Sequence, residues 1–373
     1  MTMLFEPYDL GDRRLANRVV MAPMTRARAP DEIPDAQTAL YYRQRAGAGL
    51  IVTEGLPVSE EARGYLYVPG LFNDAQKAGW AHVTDAVHAE GGRIFAQLWH
   101  VGRVSHVSLQ PGGAAPVGPT AQAAVGVTAF TIGEDGKPGP VPVSTPRALS
   151  TDDVVRVTAD FVRAARRAID AGFDGVELHG ANGYLFEQFI NGALNDRDDR
   201  YGGSVENRLR FLMETIDAVA AEIGMERVGV RISPFGRLYD MRPFADEAET
   251  WVQAAAAFQS RRLAYVHLSD QLTIGAEKMP ETFSADFCRT YRGTLIAAGG
   301  FDRHSGEAAL QAGKLDLIAV GRGFIANPDL VERWREGHPM AEADRTTFYG
   351  TSGARGYTDY PVWSPAMEAA AWA

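Results

Sequence analysis

Features typical of several other protein classes are scarce in this chain of 373 residues. Its single cysteine, Cys288, excludes an internal disulfide, a four-cysteine iron-sulfur cluster and a cysteine-rich zinc site. No apolar run reaches the roughly eighteen residues that span a membrane. The net charge of -10 disfavours nucleic-acid binding, which requires a basic surface. We therefore expect a soluble cytoplasmic protein, monomeric or homodimeric, that binds neither nucleic acid nor membrane.

Lysine is also scarce, with only Lys77, Lys137, Lys278 and Lys314 beside the many arginines. All four fall in predicted loops or helices, so no lysine stands at a strand end to form the Schiff base of an aldolase. The eight histidines include no H-x-H pair, which disfavours a metal hydrolase, and we predict no metal. Guanidinium groups suit phosphate and carbonyl recognition, although the arginine excess equally fits a compositional bias of the source.

Alternating apolar runs and amphipathic segments predict an α/β fold of the (β/α)8 TIM barrel type. Eight runs alternate with eight helical segments, and no G-x-G-x-x-G follows the first run, which disfavours a doubly wound sheet. A short apolar segment and a Gly-Asp turn before the first strand predict an N-terminal hairpin that closes one barrel end. The length allows one domain or two, and the regular alternation favours one over residues 1–373. The predicted strands are 19–24, 50–53, 93–99, 176–178, 228–233, 263–269, 294–298 and 317–320.

Residues 101–150 interrupt this alternation after the third strand, and they are rich in proline and glycine with no convincing helix. A loop of this length inside a compact domain is usually a lid or a binding loop. A linker between two domains is the alternative, but the same alternation resumes after it. We therefore interpret residues 101–150 as a lid-like loop insertion.

Polar residues gather where the predicted strands end, which is where such barrels place their active sites. His179 and Asn182 lie in the turn after the fourth strand, and together they offer two convergent hydrogen bonds to one oxygen. Tyr184, two residues further on, offers a proton nearby. The pattern indicates a site that polarises and protonates a carbonyl-conjugated substrate, although Asn and Gly also favour ordinary turns.

Two glycine-containing loops follow the last two strands, where these barrels commonly hold phosphate. They carry Gly299 and Gly300 in the first loop, and Gly321, Arg322 and Gly323 in the second. Glycines allow backbone N–H groups to approach an anion, and a guanidinium adds a charge-assisted contact. We predict a phosphate site here, the alternative being that the glycines only form tight turns.

Seven segments together resemble the Old Yellow Enzyme family of FMN-dependent ene-reductases, close to its bacterial morphinone, nitrate-ester and N-ethylmaleimide reductases. They are ANRVVMAPMTRAR, QLWHVGRVSH, AGFDGVELHGANGYLFEQF, DDRYGGSVENRLRF, GVRISP, AVGRGFIANPDL and FYGTSGARGYTDYP. They follow the family's order from Asn17 to Pro361. Thr25 places the chain in the subgroup that lacks a cysteine at this position.

The resemblance implies FMN as cofactor and NADPH or NADH as reductant. It implies cofactor contacts from Pro23, Met24, Thr25, Gly55, Gln97, Arg231, Ala298, Gly299, Gly300, Gly321 and Arg322. It implies that His179 and Asn182 bind the substrate oxygen, that Tyr184 donates the proton, and that Tyr65, Trp99 and Tyr349 wall the substrate cavity. The implied activity is reduction of activated C=C bonds in enones, maleimides and nitroalkenes, by hydride from the reduced flavin and a proton from tyrosine.

Two other functions remain open at this point. One is a nitrate-ester or nitroaromatic reductase with incidental alkene activity, and the other is a flavin-binding redox sensor without turnover. The chain also departs from the family in two places. Asn182 stands where the family varies between His and Asn, and residues 271–275 replace a frequent Trp-Gly segment, which leaves that cavity wall undefined.

Overall fold

A computed structural model describes residues 2–271, 279–351 and 353–365. Its centre is a closed barrel of eight parallel strands, as the sequence predicts. Two short strands, β1 (Tyr8–Leu10) and β2 (Arg13–Leu15), precede it. The barrel strands are β3 (Val19–Met21), β4 (Leu50–Pro57), β5 (Ile94–Trp99), β10 (Gly175–Gly180), β11 (Val228–Ile232), β12 (Tyr265–Ser269), β13 (Leu295–Ala298) and β14 (Leu317–Val320).

Helices cover the outside of the barrel. They are α1 (Ala36–Arg43), α2 (Asp74–Ala89), α3 (Thr151–Asp170), α4 (Leu185–Ile190), α5 (Val205–Ile223), α6 (Glu247–Arg261), α7 (Glu281–Thr290), α8 (Arg303–Gln311), α9 (Arg322–Ala326) and α10 (Leu330–Glu336). Ser150 caps the N-terminus of α3, because its side chain accepts from the Asp153 N–H and the Asp153 carboxylate accepts from the Ser150 N–H. None of the helices in the described part of the chain combines the length and apolarity that crossing a bilayer requires.

The predicted N-terminal hairpin is confirmed, since β1 and β2 pair antiparallel. Leu10 and Leu15 are buried against residues of the barrel interior, including Phe95 and Tyr265. These contacts lie toward the end of the barrel where the strands begin. The hairpin therefore closes that end and leaves the carboxyl ends of the strands as the open face.

Residues 101–150 form the predicted insertion after the third barrel strand, but the insertion contains regular structure that was not predicted from the sequence. The segment contains β6 (Val117–Gly118) and β9 (Arg147–Ala148), which pair in parallel, and an antiparallel hairpin of β7 (Thr128–Ile132) and β8 (Pro138–Pro142).

The prolines of β8 concealed this hairpin, because proline normally argues against a strand. The Gly133 N–H donates to the Lys137 carbonyl oxygen, and the Val143 N–H donates to the Val127 carbonyl oxygen. The residues that form backbone hydrogen bonds across the hairpin are therefore the odd-numbered ones. The even-numbered prolines pair with Thr128, Phe130 and Ile132 at positions that need no N–H. Proline at every second residue is thus compatible with this strand.

Several boundaries near the open face also differ from the predictions, and β3 ends at Met21 instead of at residue 24. Strand β4 continues to Pro57, with an irregular register against β5 between Val52 and Gly55, so that Gly55 lies within the strand. Arg322 opens the short helix α9 instead of lying in a loop. Residues 272–275, part of the segment where the chain departs from the family, lie outside the described residues.

Candidate active site

A cavity of about 920 Å³ opens at the carboxyl ends of the barrel strands. A volume of this size suits a cofactor or a drug-sized ligand. Every residue predicted for the site lines it, namely Pro23, Met24, Thr25, Gly55, Tyr65, Gln97, Trp99, His179, Asn182, Tyr184, Arg231, Ala298, Gly299, Gly300, Gly321, Arg322 and Tyr349. The structure therefore brings the two glycine loops, the polar strand ends and the aromatic residues to one place.

Aromatic rings form one side of the cavity around Trp99, which is buried. Tyr65 stacks on Trp99 at a centroid distance of 5.6 Å, and Tyr184 meets it edge-on at 4.9 Å. Gly55 permits this packing, because a Cβ there would lie 2.6 Å from the indole ring. A side chain at position 55 would therefore displace Trp99.

Two polar side chains, Gln97 and Arg231, reach the cavity floor from inside the barrel. The Gln97 Nε2 donates to Glu177 Oε1 at 2.7 Å, which leaves the Gln97 Oε1 as the free acceptor. The second carboxylate oxygen of Glu177 lies 2.9 Å from His267 Nδ1. Burial acts to raise the pKa of Glu177, but its interactions with His267, Arg231 and Gln97 outweigh burial and lower it. Glu177 is thus a buried anion that orients Gln97.

Arg231 is buried, and its Nη2 donates to Ser269 Oγ at 3.1 Å. Its Nε is also buried and has no hydrogen-bond partner among the described residues. Burial lowers the pKa of Arg231, which the charge of Glu177 opposes, and a guanidinium still stays protonated at physiological pH. The cavity floor therefore presents one acceptor, on Gln97, and one cation with an unused donor, on Arg231.

His179 ends β10 and presents a hydrogen-bond donor to the cavity. Its Nδ1 accepts from the backbone N–H of Ala181 at 3.3 Å, so in the neutral ring the proton resides on Nε2. Burial lowers the pKa of His179 well below its ordinary value, and the charge of Arg231 lowers it further. His179 is accordingly a neutral imidazole whose Nε2–H is free to donate.

Asn182 offers the second donor from the turn after β10. Its Oδ1 accepts from Ser269 Oγ at 3.3 Å and from Gln271 Nε2 at 3.2 Å. These contacts leave its Nδ2 group as the donor for a cavity ligand. The backbone of Asn182 is left-handed, with φ of 57°, a conformation that asparagine tolerates better than most residues.

A buried carboxyl group, Glu187, holds the backbone of this turn. Its Oε2 accepts from the Gly183 N–H at 2.7 Å and from Ser233 Oγ at 2.8 Å. Ser233 Oγ in turn accepts from the Asn182 N–H at 2.7 Å. Burial raises the pKa of Glu187 to about 8. Both left-handed residues of the turn, Asn182 and Gly183, are therefore tied to one side chain.

Tyr184 places a phenol beside these two donors. Its ring lies 5.0 Å from the His179 ring, and its hydroxyl lies 3.3 Å from Tyr65 Oη and 3.4 Å from Tyr239 Oη. Burial raises the pKa of Tyr184 well above its usual value of 10, and the neighbouring phenols act in the same direction. Tyr184 therefore stays protonated across the physiological pH range and keeps a proton to donate.

Comparison with known proteins identifies the family. A sequence model of the NADH:flavin oxidoreductase / NADH oxidase family matches residues 3–341. The chain belongs to this family. Its structure superposes on morphinone reductase with a TM-score of 0.95 and 47% identity, covering 97% of each chain. The Old Yellow Enzyme homologue from Zymomonas mobilis gives 0.91 and 39%, covering 96% of this chain and 99% of the other.

Relatives in plants are similar over nearly the whole length. The 12-oxophytodienoate reductase 1 of Oryza sativa subsp. japonica is 42% identical over 368 residues, which cover 96% of this chain and 92% of the rice protein. The predicted Old Yellow Enzyme membership is thus confirmed. The chain is therefore an FMN-dependent oxidoreductase that takes hydride from a nicotinamide and reduces activated C=C bonds.

The cavity floor fits FMN. The pyrimidine edge of a flavin carries an N–H donor beside carbonyl acceptors, and the floor offers the matching Gln97 acceptor and Arg231 donor. At the far side of the cavity, Gly300 has φ of 77°, which favours glycine, and Arg322 is exposed beside the glycine loops. Gln97 and Arg231 would hold the ring system, and the glycine loops with Arg322 would hold the phosphate.

Several residues that organise this site were not predicted from the sequence. Glu177, Glu187, Ser269 and Gln271 orient the predicted residues, and Tyr239 contacts the Tyr184 hydroxyl. The hairpin of β7 and β8 adds wall residues, namely Thr128, Phe130 and Pro140. The only available signal was the placement of charged Glu177 and Glu187 within otherwise apolar segments, VELH and YLFEQF.

The cavity wall that carries Tyr349 is fixed by Arg26, which was also not predicted from the sequence. Arg26 is buried, and its guanidinium donates to the carbonyl oxygens of Phe348 at 2.9 Å and Gly356 at 2.6 Å. The ring of Tyr41 packs against the same guanidinium at 5.2 Å. These contacts hold the carboxyl-terminal segment that carries Tyr349, a predicted wall residue, over the cavity.

Proposed function

We propose that this enzyme reduces alkenes conjugated to a carbonyl or nitro group, and in particular ring enones. The observation that carries the proposal is the meeting of two N–H donors and one phenol, on His179, Asn182 and Tyr184, beside one aromatic cavity. The names of the relatives, 12-oxophytodienoate reductase and morphinone reductase, support ring enones as the substrate class.

His179 and Asn182 act as a clamp on the substrate oxygen. When bound, FMN supplies the hydride that the nicotinamide provides, and the β-carbon of the alkene receives it. Negative charge then grows on the conjugated oxygen, where the His179 Nε2–H and the Asn182 Nδ2–H stabilise it. Both donors are oriented before substrate arrives, so little reorganisation opposes the reaction.

Tyr184 donates the proton that completes the reduction at the α-carbon. Its ring lies beside that of His179, and burial keeps its hydroxyl protonated. Hydride and proton thus come from different groups, and the clamp fixes the substrate between them.

The test of this proposal is Tyr184→Phe, with Tyr8→Phe as control at the closed end of the barrel, where Tyr8 Oη contacts Thr294. We expect Tyr184→Phe to slow cyclohexenone reduction about a hundredfold or more, since a positioned acid typically contributes that much. Nicotinamide oxidation in the absence of alkene should keep the parent rate. Nitroalkenes should suffer less, because the nitronate product is stable enough to be protonated in water.

Rapid mixing of the two half-reactions separates these rates. Parent-like cyclohexenone reduction by Tyr184→Phe would remove Tyr184 from the mechanism. A parent enzyme that turns over glycerol trinitrate but not cyclohexenone would favour the nitrate-ester alternative, and failure to oxidise nicotinamide with any acceptor would favour a redox sensor.

We also propose cytoplasmic residence, which the single cysteine, Cys288, supports because the chain does not depend on a disulfide. The remaining predictions are a single domain over residues 1–373, a monomer or homodimer, and use of NADPH or NADH. Light scattering and steady-state kinetics with each nicotinamide test the last two.

A further inference from the structure

The clamp proposed above works only if Asn182 presents its N–H2 group, and not its carbonyl oxygen, to the cavity. An asparagine side chain has nearly the same shape in both orientations, so its neighbours decide which is adopted. We propose that Gln271 is the positioning residue that makes Asn182 a donor. This inference rests on the proposed function and concerns the same site.

The orientation of Gln271 follows from a backbone group. The Arg237 N–H donates to Gln271 Oε1 at 2.8 Å, and a backbone N–H can only donate. The Gln271 oxygen is therefore identified, and its Nε2 is the group that lies 3.2 Å from Asn182. Because an N–H2 group only donates, the Asn182 atom that faces it must be the carbonyl oxygen.

A second contact, from Ser269, is compatible with this orientation. The Arg231 Nη2 donates to Ser269 Oγ at 3.1 Å, and a guanidinium cannot accept. The Ser269 hydroxyl proton is consequently free to donate to Asn182 Oδ1 at 3.3 Å. Reversing the Asn182 amide would set its N–H2 against that of Gln271 and lose that hydrogen bond, whereas the Ser269 hydroxyl, with a second lone pair, could accept from it; Gln271 therefore decides the orientation.

Gly236 provides the room that Gln271 occupies. A Cβ at position 236 would lie 2.6 Å from Gln271 Nε2, closer than any real contact. Gln271 itself is buried directly after β12. The same Cβ would lie 2.9 Å from the Ser233 carbonyl oxygen, so Gly236→Ala would displace the Gln271 amide and also press on the backbone of Ser233, while adding no polar group to the cavity.

The experiment measures the dissociation constant of 4-chlorophenol from the FMN-loaded enzyme by its long-wavelength absorbance. A phenolate oxygen carries the charge that the clamp is built to hold. Gln271→Met removes the donor at similar size, Gln271→Glu replaces the donor with an acceptor, and Gly236→Ala displaces the amide. Gln253→Met is the control, because Gln253 is exposed on α6 and donates to Glu249 in the same helix.

We expect Gln271→Met and Gly236→Ala each to weaken phenol binding about fivefold, as loss of one neutral hydrogen bond does. Gln271→Glu should weaken it further, because it favours the reversed Asn182 amide. In an Asn182→Ala background the Gln271 variants should add no further loss. FMN content and the Gln253→Met control should match the parent.

The outcomes separate this inference from the proposed function. If Asn182→Ala leaves phenol binding unchanged, the clamp itself is wrong. If Asn182→Ala weakens binding but Gln271→Met and Gln271→Glu do not, the positioning role is wrong. An equal effect of Gln271→Glu with and without Asn182 would also overturn it, since the added charge would then act directly on the phenolate. Should Gln271→Met fail to fold, parent-like binding by Gly236→Ala would overturn it as well.

Discussion

Replacing Arg322 tests the phosphate site, because this exposed residue opens α9 beside the glycine loops of the cavity. Loss of a charge-assisted hydrogen bond costs about 1.5 to 3 kcal/mol. Solvent screens an exposed side chain, so the lower figure applies, and Arg322→Ala should weaken FMN binding about tenfold.

Arg322→Glu adds repulsion to this loss. Two unit charges about 4 Å apart in water interact by about 1 kcal/mol, and a phosphate monoester carries nearly two charges at neutral pH. The further cost of about 2 kcal/mol corresponds to about thirtyfold, so the dissociation constant of FMN should rise about three hundredfold in all.

Flavin fluorescence titration of the apoprotein measures both constants, and the ratio of flavin to protein absorbance after desalting gives a second readout. Arg292→Ala is the control, since Arg292 is exposed and precedes β13, at the closed end of the barrel. Parent-like FMN affinity in Arg322→Glu would refute the phosphate assignment. Loss of FMN in the Arg292→Ala control would show that the effect is not local.

Three further predictions concern other parts of the site. His179→Ala should slow alkene reduction about a hundredfold with unchanged FMN content, and a parent-like rate would contradict the clamp. A two-residue turn can replace residues 128–142, because Val127 and Val143 on either side are already hydrogen-bonded to each other. This variant should keep FMN bound, but oxygen should oxidise the reduced enzyme faster because the cavity is less covered. Failure to fold would show that the hairpin is structural. Glu187 has a pKa raised to about 8, so between about pH 4.5 and 8 the folded state binds a proton that the unfolded state lacks, and stability falls as pH rises. The Tm of Glu187→Gln should therefore drop less than the Tm of the parent between pH 6 and 8.5. An equal drop in both proteins would contradict this.

The barrel was predictable because its strands are buried on both faces and read as short apolar runs between helical segments. The site residues were predictable for a related reason. Parallel strands deliver the residues at their carboxyl ends to one face, so Gln97, His179 and Arg231 had to meet there.

The partners of these residues were not predictable, because pairing between distant segments decides them. Gln97 meets Glu177 across 80 positions of sequence, and Asn182 meets Gln271 across 89. No local pattern encodes such pairs. The hairpin of β7 and β8 was not predicted for a different reason. Its prolines argue against a strand unless the register is known.

Fixed backbone donors and burial, rather than ionisation, set the polarity of the clamp. The Ala181 N–H selects the His179 tautomer, and the Arg237 N–H selects the orientation of Gln271. Burial keeps His179 neutral, so neither clamp donor changes charge near neutral pH. It follows that residues outside the clamp decide whether it donates or accepts, and that Asn182 serves as a donor because Gln271 leaves its carbonyl oxygen no place at the cavity.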